Sequence, residues 1–233
     1  MTHGDSLLIL GELQRVAEER CLRAADPALA ERVQSVKRYQ QRRFELTYAD
    51  LLSNARYAAA TRFFLEELYG PADFTQRDAQ FERVVPALVR VFPAEIVRTV
   101  STITRLHALS ESLDTEMARQ LVSPDITAGS YQLAWQRTGR REDRLLQIEL
   151  TLKVGKALEH YTRNAVIRTT LRLMRAPAEA AGLASLQRFL ELGFDAFRKM
   201  RGARDFLANV ATRERALLEA LFSSDTAAVP NLP

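Results

Sequence analysis

The chain has 233 residues, 47% of them hydrophobic and 27% charged, which is typical of a globular protein with a sizeable core. Its one cysteine, Cys21, excludes an internal disulfide framework and any metal site built from several cysteines. Residues 7–10 are too short an apolar run for a signal peptide, and no apolar span is long enough to cross a membrane. We therefore expect a cytoplasmic protein with no membrane partner.

The formal net charge is +4, and all but four of the 33 basic residues are arginines. Arginine richness has two interpretations. It follows from GC-rich coding, as in many bacterial proteins, or it reflects binding of phosphate or carboxylate groups, which match the guanidinium fork.

Apolar residues recur at helical spacing along most of the chain, and no alternating strand pattern interrupts them. The pattern predicts an all-α fold, a bundle-like single domain of about nine helices. Capping and breaking residues place these helices at about residues 5–24, 27–52, 54–69, 75–92, 93–122, 131–137, 142–175, 177–200 and 203–222.

The strongest break in this pattern covers residues 123–129, which begin with Ser-Pro-Asp and end in Gly. It divides one domain, residues 1–222, into a front half (1–122) and a back half (130–222), and it is a hinge candidate. The tail, residues 223–233, lacks periodicity, so we expect it to be loose.

An aromatic and acidic block fills the end of the third predicted helix. At 100° per residue, Phe64 lies at the centre of a wide apolar arc, with Phe63 and Tyr69 at its sides. Glu67 falls inside the same arc, so its carboxylate either reaches the edge of the core or is buried, and a buried carboxylate needs a partner. Two roles stay open for it: an ion pair with an arginine of another helix, or a pocket carboxylate with a raised pKa.

Residues 63–69 spell FFLEELY and are followed by Gly70 and Pro71. This string resembles the signature of a bacterial family, the FFLEELY motif proteins, and the resemblance extends to residues 188–190 and 193–195. It implies an uncharacterised helical protein and assigns no catalytic residue.

Familiar catalytic and metal-binding patterns are missing from the sequence. The histidines are His3, His107 and His160, and neither helical one follows a Glu at the spacing of a di-iron bundle. Phosphate-loop, dinucleotide and nucleophile-elbow motifs are also missing. We therefore predict no catalytic residue, no metal site and no cofactor, although His107 or His160 as a haem ligand stays an alternative.

Four arginines cluster beside Trp135: Arg137, Arg140, Arg141 and Arg144. They open a run, residues 137–175, with ten basic and four acidic residues. Such a cluster is typical of a solvated helix face, and it is also the best nucleic-acid or acidic-partner candidate in the chain.

Taken together, these features favour a non-enzymatic interaction or regulatory module that works through helical surfaces, with another protein or a second copy as partner. Two alternatives remain. One is a helical binding protein for an apolar ligand or haem, and the other is a nucleic-acid-associated protein that uses the basic back-half run.

Overall fold

The computed structural model describes residues 2–68, 70, 72–223, 229 and 231–233, and these residues form helices and turns without any strand. The α-helices are α1 Thr2–Ala24, α2 Pro27–Thr47, α3 Ala49–Ser53, α4 Ala58–Phe63, α5 Thr75–Val91, α6 Ala94–Arg119, α7 Ala128–Thr138, α8 Arg141–Thr162, α9 Ala165–Leu173, α10 Arg175–Ala180, α11 Ala184–Met200 and α12 Arg204–Phe222. A π-helix, Phe64–Leu68, continues α4 and is called the π segment below. Within these described ranges, no helix combines the length and apolarity that crossing a bilayer requires.

The all-α prediction is confirmed, but the described residues form twelve α-helices instead of about nine. The second predicted helix is divided at Tyr48, whose φ of −115° and ψ of 22° leave the helical region. The long back-half helix ends before Asn164, whose side chain accepts a hydrogen bond from the Val166 amide and so starts α9. The next predicted helix is divided at Gly182, where a φ of +71° favours glycine.

Helix α6 lies at the centre of the front half and contacts α1, α2, α5, α7 and α8. Its buried apolar residues include Leu106, Leu113 and Met117. Helix α8 packs on α11 and α12, and α11 packs on α4, so contacts α6–α8 and α4–α11 join the front and back halves. The single-domain organisation and the hinge at residues 123–129 stay predictions.

The predicted loose tail also stays a prediction, because residues 224–228 and 230 lie outside the described residues. Of the described part, Val229 and Leu232 pack against a core cluster built from α2, α6, α7 and α12. The Tyr39 hydroxyl on α2 donates a hydrogen bond of 3.2 Å to the carbonyl of Pro233.

The π segment changes which aromatic side chain of the motif is most buried. A π turn holds more residues than an α turn, so positions after Phe63 no longer follow steps of 100°. Phe63 is 6% exposed and packs on α11 at Gly193, while Phe64 is half-buried. A Cβ at Gly193 would lie 2.8 Å from Phe63 Cζ, so only glycine admits the ring this closely.

Buried ion pairs join the front-half helices. Glu111 of α6 is 4% exposed, and it lies 2.6 Å from both Arg23 Nη2 of α1 and Lys37 Nζ of α2. Burial raises the pKa of Glu111, but the positive charges of Lys37 and Arg23 outweigh this effect, and the pKa falls to about 2. Asp78 of α5 pairs in the same way with Arg20 of α1, at 2.6 Å.

Acid should destabilise the protein through Glu111. The folded pKa lies below the unfolded one, so its stabilisation is complete above about pH 5 and is lost as the pH falls towards about 2. We expect a loss of about 2–3 kcal/mol from this group, measured as the free energy of unfolding in urea at several pH values. Glu111→Gln should remove this acid dependence and cost about 3–5 kcal/mol at neutral pH, because two cations lose their partner.

The matched control for that experiment is Glu116→Gln, an exposed carboxylate on the same helix that pairs with Arg119. It should leave the acid dependence unchanged, since exposed pairs contribute little. Equal pH dependence in the Glu111→Gln variant and the wild type would contradict the assignment.

Gly193→Ala should destabilise the protein by about 1–3 kcal/mol, because the added methyl group overpacks against the Phe63 ring. The control is Gly11→Ala on α1, where nothing lies within 4 Å of the added Cβ. That substitution should stabilise the helix by up to about 1 kcal/mol. Thermal unfolding of both variants checks the pair, and a stabilised Gly193→Ala would show that the contact is loose.

Candidate functional site

A cavity of about 80 Å³ lies where α2, the π segment, α7, α8 and α12 meet. Its apolar lining includes the rings of Phe44, Phe64 and Phe206. Its polar lining includes Arg43, Tyr48, Tyr131, Trp135, Arg144 and Glu214. The fold thus brings charged side chains from α2, α8 and α12 together in its interior.

The aromatic motif contributes directly to this cavity, since Phe64 and Leu65 both line it. They are the first two residues of the π segment, whereas Phe63, the last residue of α4, packs on α11. Single π turns inside α-helices occur frequently at functional sites. The π turn therefore divides the motif between a structural contact and the cavity wall.

Arg43 of α2 is 5% exposed and forms the best-satisfied ion pair of the cavity. Its Nη1 donates to Glu214 Oε1 at 2.6 Å, and the Tyr48 hydroxyl donates to the same oxygen at 2.7 Å. Burial lowers the pKa of Arg43, but Glu214, Tyr131 and Tyr48 together raise it by more. Burial and Glu214 raise the pKa of Tyr48, so both donors keep their protons.

Arg144 of α8 is 3% exposed and is less well paired. Its guanidinium lies 3.9 Å from the Trp135 ring centre, and its Nη2 donates only to Met117 Sδ, at 3.8 Å. No carboxylate of the described residues lies within 4 Å of it. Burial raises the pKa of Asp114, and the Asp114 charge acts on Arg144 only from beyond 4 Å, where it partly offsets the lowering of the Arg144 pKa by burial. The cavity is therefore positively biased.

Three buried donors in the cavity lining have no acceptor among the described residues: Arg43 Nε, the Tyr131 hydroxyl and Trp135 Nε1. Each belongs to a residue at most 8% exposed. An unsatisfied buried donor costs about 1–3 kcal/mol, so native interiors leave few of them. Burial raises the pKa of Tyr131, which keeps its proton as a donor. A negatively charged oxygen would suit all three donors and Arg144.

Glu67 itself lies outside the cavity lining and is half-buried. Arg77 of α5 donates a hydrogen bond of 2.8 Å to the Glu67 backbone carbonyl. Burial lowers the pKa of Arg77, and the charges of Asp78 and Glu67 offset this only in part. Tyr69, the last motif residue, lies outside the described residues. Of the motif residues singled out from the sequence, Phe64 alone among those described lines the cavity.

The predicted basic face does not form one surface. Arg144 is buried in the cavity, whereas Arg137, Arg140 and Arg141 are exposed. Arg140 pairs with Asp143 at 2.7 Å, and Arg141 pairs with Glu219. Acidic neighbours thus neutralise two of the three exposed charges.

Tyr131 and Glu214 were not predicted as site residues from the sequence. One sign was available in the sequence: Trp135 and Arg144 stand close together, on either side of a short break. Their stacking, however, depends on how α7 and α8 meet at Gly139 and Arg140, which both have positive φ. Glu214 joins the site only through the packing of α12.

Residues 19–228 match a family model described as Domain of unknown function (DUF8198). The chain therefore belongs to this family. No curated protein and no solved structure matches this chain.

Proposed function

We propose that this DUF8198 protein is a helical binding protein that holds a small organic carboxylate in the central cavity. The observation that carries the proposal is the set of three buried donors, on Arg43, Tyr131 and Trp135, that have no described acceptor and belong to residues lining one cavity. The proposal follows the ligand-binding alternative from the sequence, with an anion in place of a purely apolar ligand.

The charge of the cavity favours an anion. Arg43 and Arg144 carry two positive charges, and Glu214 supplies one negative charge that Arg43 and Tyr48 already bind. The remaining cation, Arg144, lies on Trp135 with its planar guanidinium available to a planar oxygen pair. A carboxylate fits this geometry, and the rings of Phe44 and Phe64 would contact its carbon chain.

The cavity volume limits the ligand to a few non-hydrogen atoms. One water molecule needs about 10–15 Å³ of cavity volume, and a cavity of about 150 Å³ binds benzene. At about 80 Å³, the cavity suits acetate or propionate and is too small for a porphyrin. The two helical histidines lie elsewhere, with His107 bonded to Asp78 and the His160 side chain 69% exposed. Haem therefore gains no support.

The lining groups favour binding over catalysis. Tyr48 and Tyr131 have raised pKa values and hold their protons, and arginine does not exchange protons at neutral pH. Glu214, the one carboxylate in the lining, is held by two hydrogen bonds. These groups support a non-enzymatic role, in which ligand binding changes the stability of the helices around the cavity.

Three finer points belong to the same proposal. We infer that the FFLEELY resemblance reflects the cavity wall, because Phe64 and Leu65 contribute to it. The arginine-rich composition supports a bacterial origin. Small carboxylates are common metabolites, so binding one suits a cytoplasmic protein. Such a protein would regulate a partner through its helical surfaces.

Thermal unfolding of the full chain with sodium acetate, propionate or benzoate tests the proposal, with sodium chloride and neutral propionamide as controls. A ligand at about 100 times its Kd stabilises a protein by about 2.7 kcal/mol, which raises Tm by about 5–10 °C at this size. We expect this shift for acetate or propionate, and no shift for benzoate or propionamide. No stabilisation by any carboxylate beyond that of chloride would overturn the proposal.

Tyr131→Phe separates binding from folding. Removing a hydroxyl that has no acceptor should leave the Tm of the ligand-free protein unchanged or raise it, while the carboxylate-induced shift falls. Arg144→Met should act in the same direction, because it replaces an unpaired buried ion by an apolar chain. The control is Tyr161→Phe, whose hydroxyl bonds to Thr99 and lies outside the cavity lining. A full ligand shift in Tyr131→Phe and Arg144→Met would contradict the site.

A further inference from the structure

A second cavity, of about 300 Å³, lies at the amino end of α9 and shares no lining residue with the central cavity. Among the described residues, its charged lining consists of four arginines and no carboxylate: Arg163, Arg168, Arg172 and Arg198. Arg163 belongs to the turn before α9, the next two belong to α9, and Arg198 belongs to α11. Two helices and a turn therefore bring like charges together around one space.

The wall of this cavity is formed by one face of each helix. Arg168 and Arg172 are four residues apart, so they are neighbours on the same face of α9, and Ala165 lies one turn before Arg168. On α11, Arg198 follows Phe194 at the same spacing. All five residues line the cavity. The positions of the arginines thus follow from the packing of α9 on α11.

Little of this positive charge is neutralised within the described chain. Arg163 pairs with Glu159 at 2.8 Å, but Arg168, Arg172 and Arg198 have no carboxylate within 4 Å among the described residues. The Nε of Arg168 is also buried without a described acceptor, which is uncommon for a donor inside a native protein. These guanidinium groups therefore lack a partner of opposite charge.

Two acids of α11 come close to the cavity in sequence but do not line it. Glu191 accepts two hydrogen bonds from Arg175, at 3.1 and 2.6 Å, and acts on Arg172 only from beyond 4 Å. Asp195 is exposed and lies one turn before Arg198, without an ion pair to it. The charge of the cavity remains available to an external anion.

The number of unpaired charges indicates which anion fits. Guanidinium groups bind phosphate oxygens through paired donors, and one phosphate carries about −1.5 to −2 charges at neutral pH. Three unpaired arginines are therefore neutralised more fully by two linked phosphates than by one. The amino end of α9, capped by Asn164, adds a partial positive charge of the kind that favours phosphate. A cavity of about 150 Å³ holds benzene, so this larger cavity has room for both phosphates.

We propose that this cavity binds a diphosphate group, as free diphosphate or as part of a small organic molecule, through Arg168, Arg172 and Arg198. Arg163 joins them when it leaves Glu159, and this exchange costs little because the Arg163 side chain is 75% exposed. Nucleic acid fits less well. The one aromatic ring in the described lining, Phe194, is only 5% exposed, so it offers no surface on which bases stack.

Isothermal titration calorimetry of the full chain tests the proposal. The probes are sodium pyrophosphate and ADP, and the controls are orthophosphate and sulfate at matched ionic strength. We expect saturable binding of pyrophosphate, at least about tenfold tighter than that of orthophosphate, because it reaches more of the arginines. Binding of ADP as well would identify organic diphosphates as ligands, and binding of pyrophosphate alone would identify the free ion. Equal weak heats for pyrophosphate and sulfate would overturn the proposal.

Variants locate the site. Arg172→Gln with Arg198→Gln changes two exposed arginines and should weaken pyrophosphate binding about a hundredfold, since each charge-assisted hydrogen bond contributes about tenfold or more. Arg172→Lys keeps the charge but removes the paired donors, so it should also weaken binding. Unchanged affinity in the double variant would contradict the site.

The matched control is Arg90→Gln with Arg105→Gln, which makes the same charge change at exposed arginines of α5 and α6 outside the cavity lining. It should leave the affinity for pyrophosphate within about twofold. A loss equal to that of the Arg172 and Arg198 double variant would reduce the effect to net charge and overturn the site. Circular dichroism and Tm confirm that each variant folds.

Two further arms separate this site from the central cavity and from a nucleic-acid interface. Tyr131→Phe, which should weaken carboxylate binding, should leave pyrophosphate binding unchanged, because Tyr131 lines only the central cavity. Weaker pyrophosphate binding in that variant would place the diphosphate in the wrong cavity. Tight binding of a short single-stranded RNA through Arg172 and Arg198, together with no pyrophosphate binding, would overturn the small-molecule assignment in favour of nucleic acid.

Discussion

A polar stripe along α2 positions the rest of the front half. Lys37, Gln40 and Arg43 follow one another at three-residue spacing, so they share one face of the helix. Lys37 binds Glu111 at 2.6 Å and Gln40 binds Asp114 at 3.1 Å, and both acids belong to α6. Because burying an ion costs several kcal/mol without a partner, only one register of α2 on α6 satisfies both acids.

This register also places the third member of the stripe. Because Lys37 and Gln40 bind α6, Arg43 lies beyond α6, and its Nη1 is 2.6 Å from Glu214 Oε1 of α12. The same face of α2 therefore joins the front-half core to the central cavity. In the front half Glu111 has two cations, whereas in the cavity Arg144 has no carboxylate within 4 Å, and three buried donors have no acceptor, among the described residues.

Helix ends were predictable because local chemistry determines them. Asp26 accepts a hydrogen bond from the Leu29 amide at 3.0 Å, and Pro27 starts α2, as the sequence indicates. The buried acids were also within reach, since Glu111 lies on one helical stripe with Ala108 and Thr115, both buried. A search for carboxylates on apolar stripes would have found Glu111 as readily as it found Glu67.

The interior position of Arg144 was beyond such reasoning. It depends on the turn at Gly139 and Arg140, which directs α8 back along α7 and stacks the guanidinium on Trp135. The depth of Glu67 stayed open for a different reason. The wheel assumes α geometry, and the π segment shifts every position after Phe63, which leaves Glu67 half-buried.

The composition of the motif follows from the three contacts that it makes at once. Phe63 fits against Gly193 of α11, and Phe64 and Leu65 line the cavity. The Glu67 carbonyl binds Arg77 of α5, whose guanidinium lies 4.0 Å from the Phe74 ring centre.

Gly70 allows the chain to leave the π segment. A Cβ there would lie 2.6 Å from the Glu66 carbonyl oxygen, a distance that real Cβ atoms do not adopt, so a larger residue would displace the end of the segment. This short helical turn contacts α11, α5 and the cavity together. It therefore needs large aromatic side chains on one side and a glycine at its end. The large apolar side chains are concentrated in the motif because it forms part of a cavity wall. The charged groups of the cavity come from α2, α8 and α12.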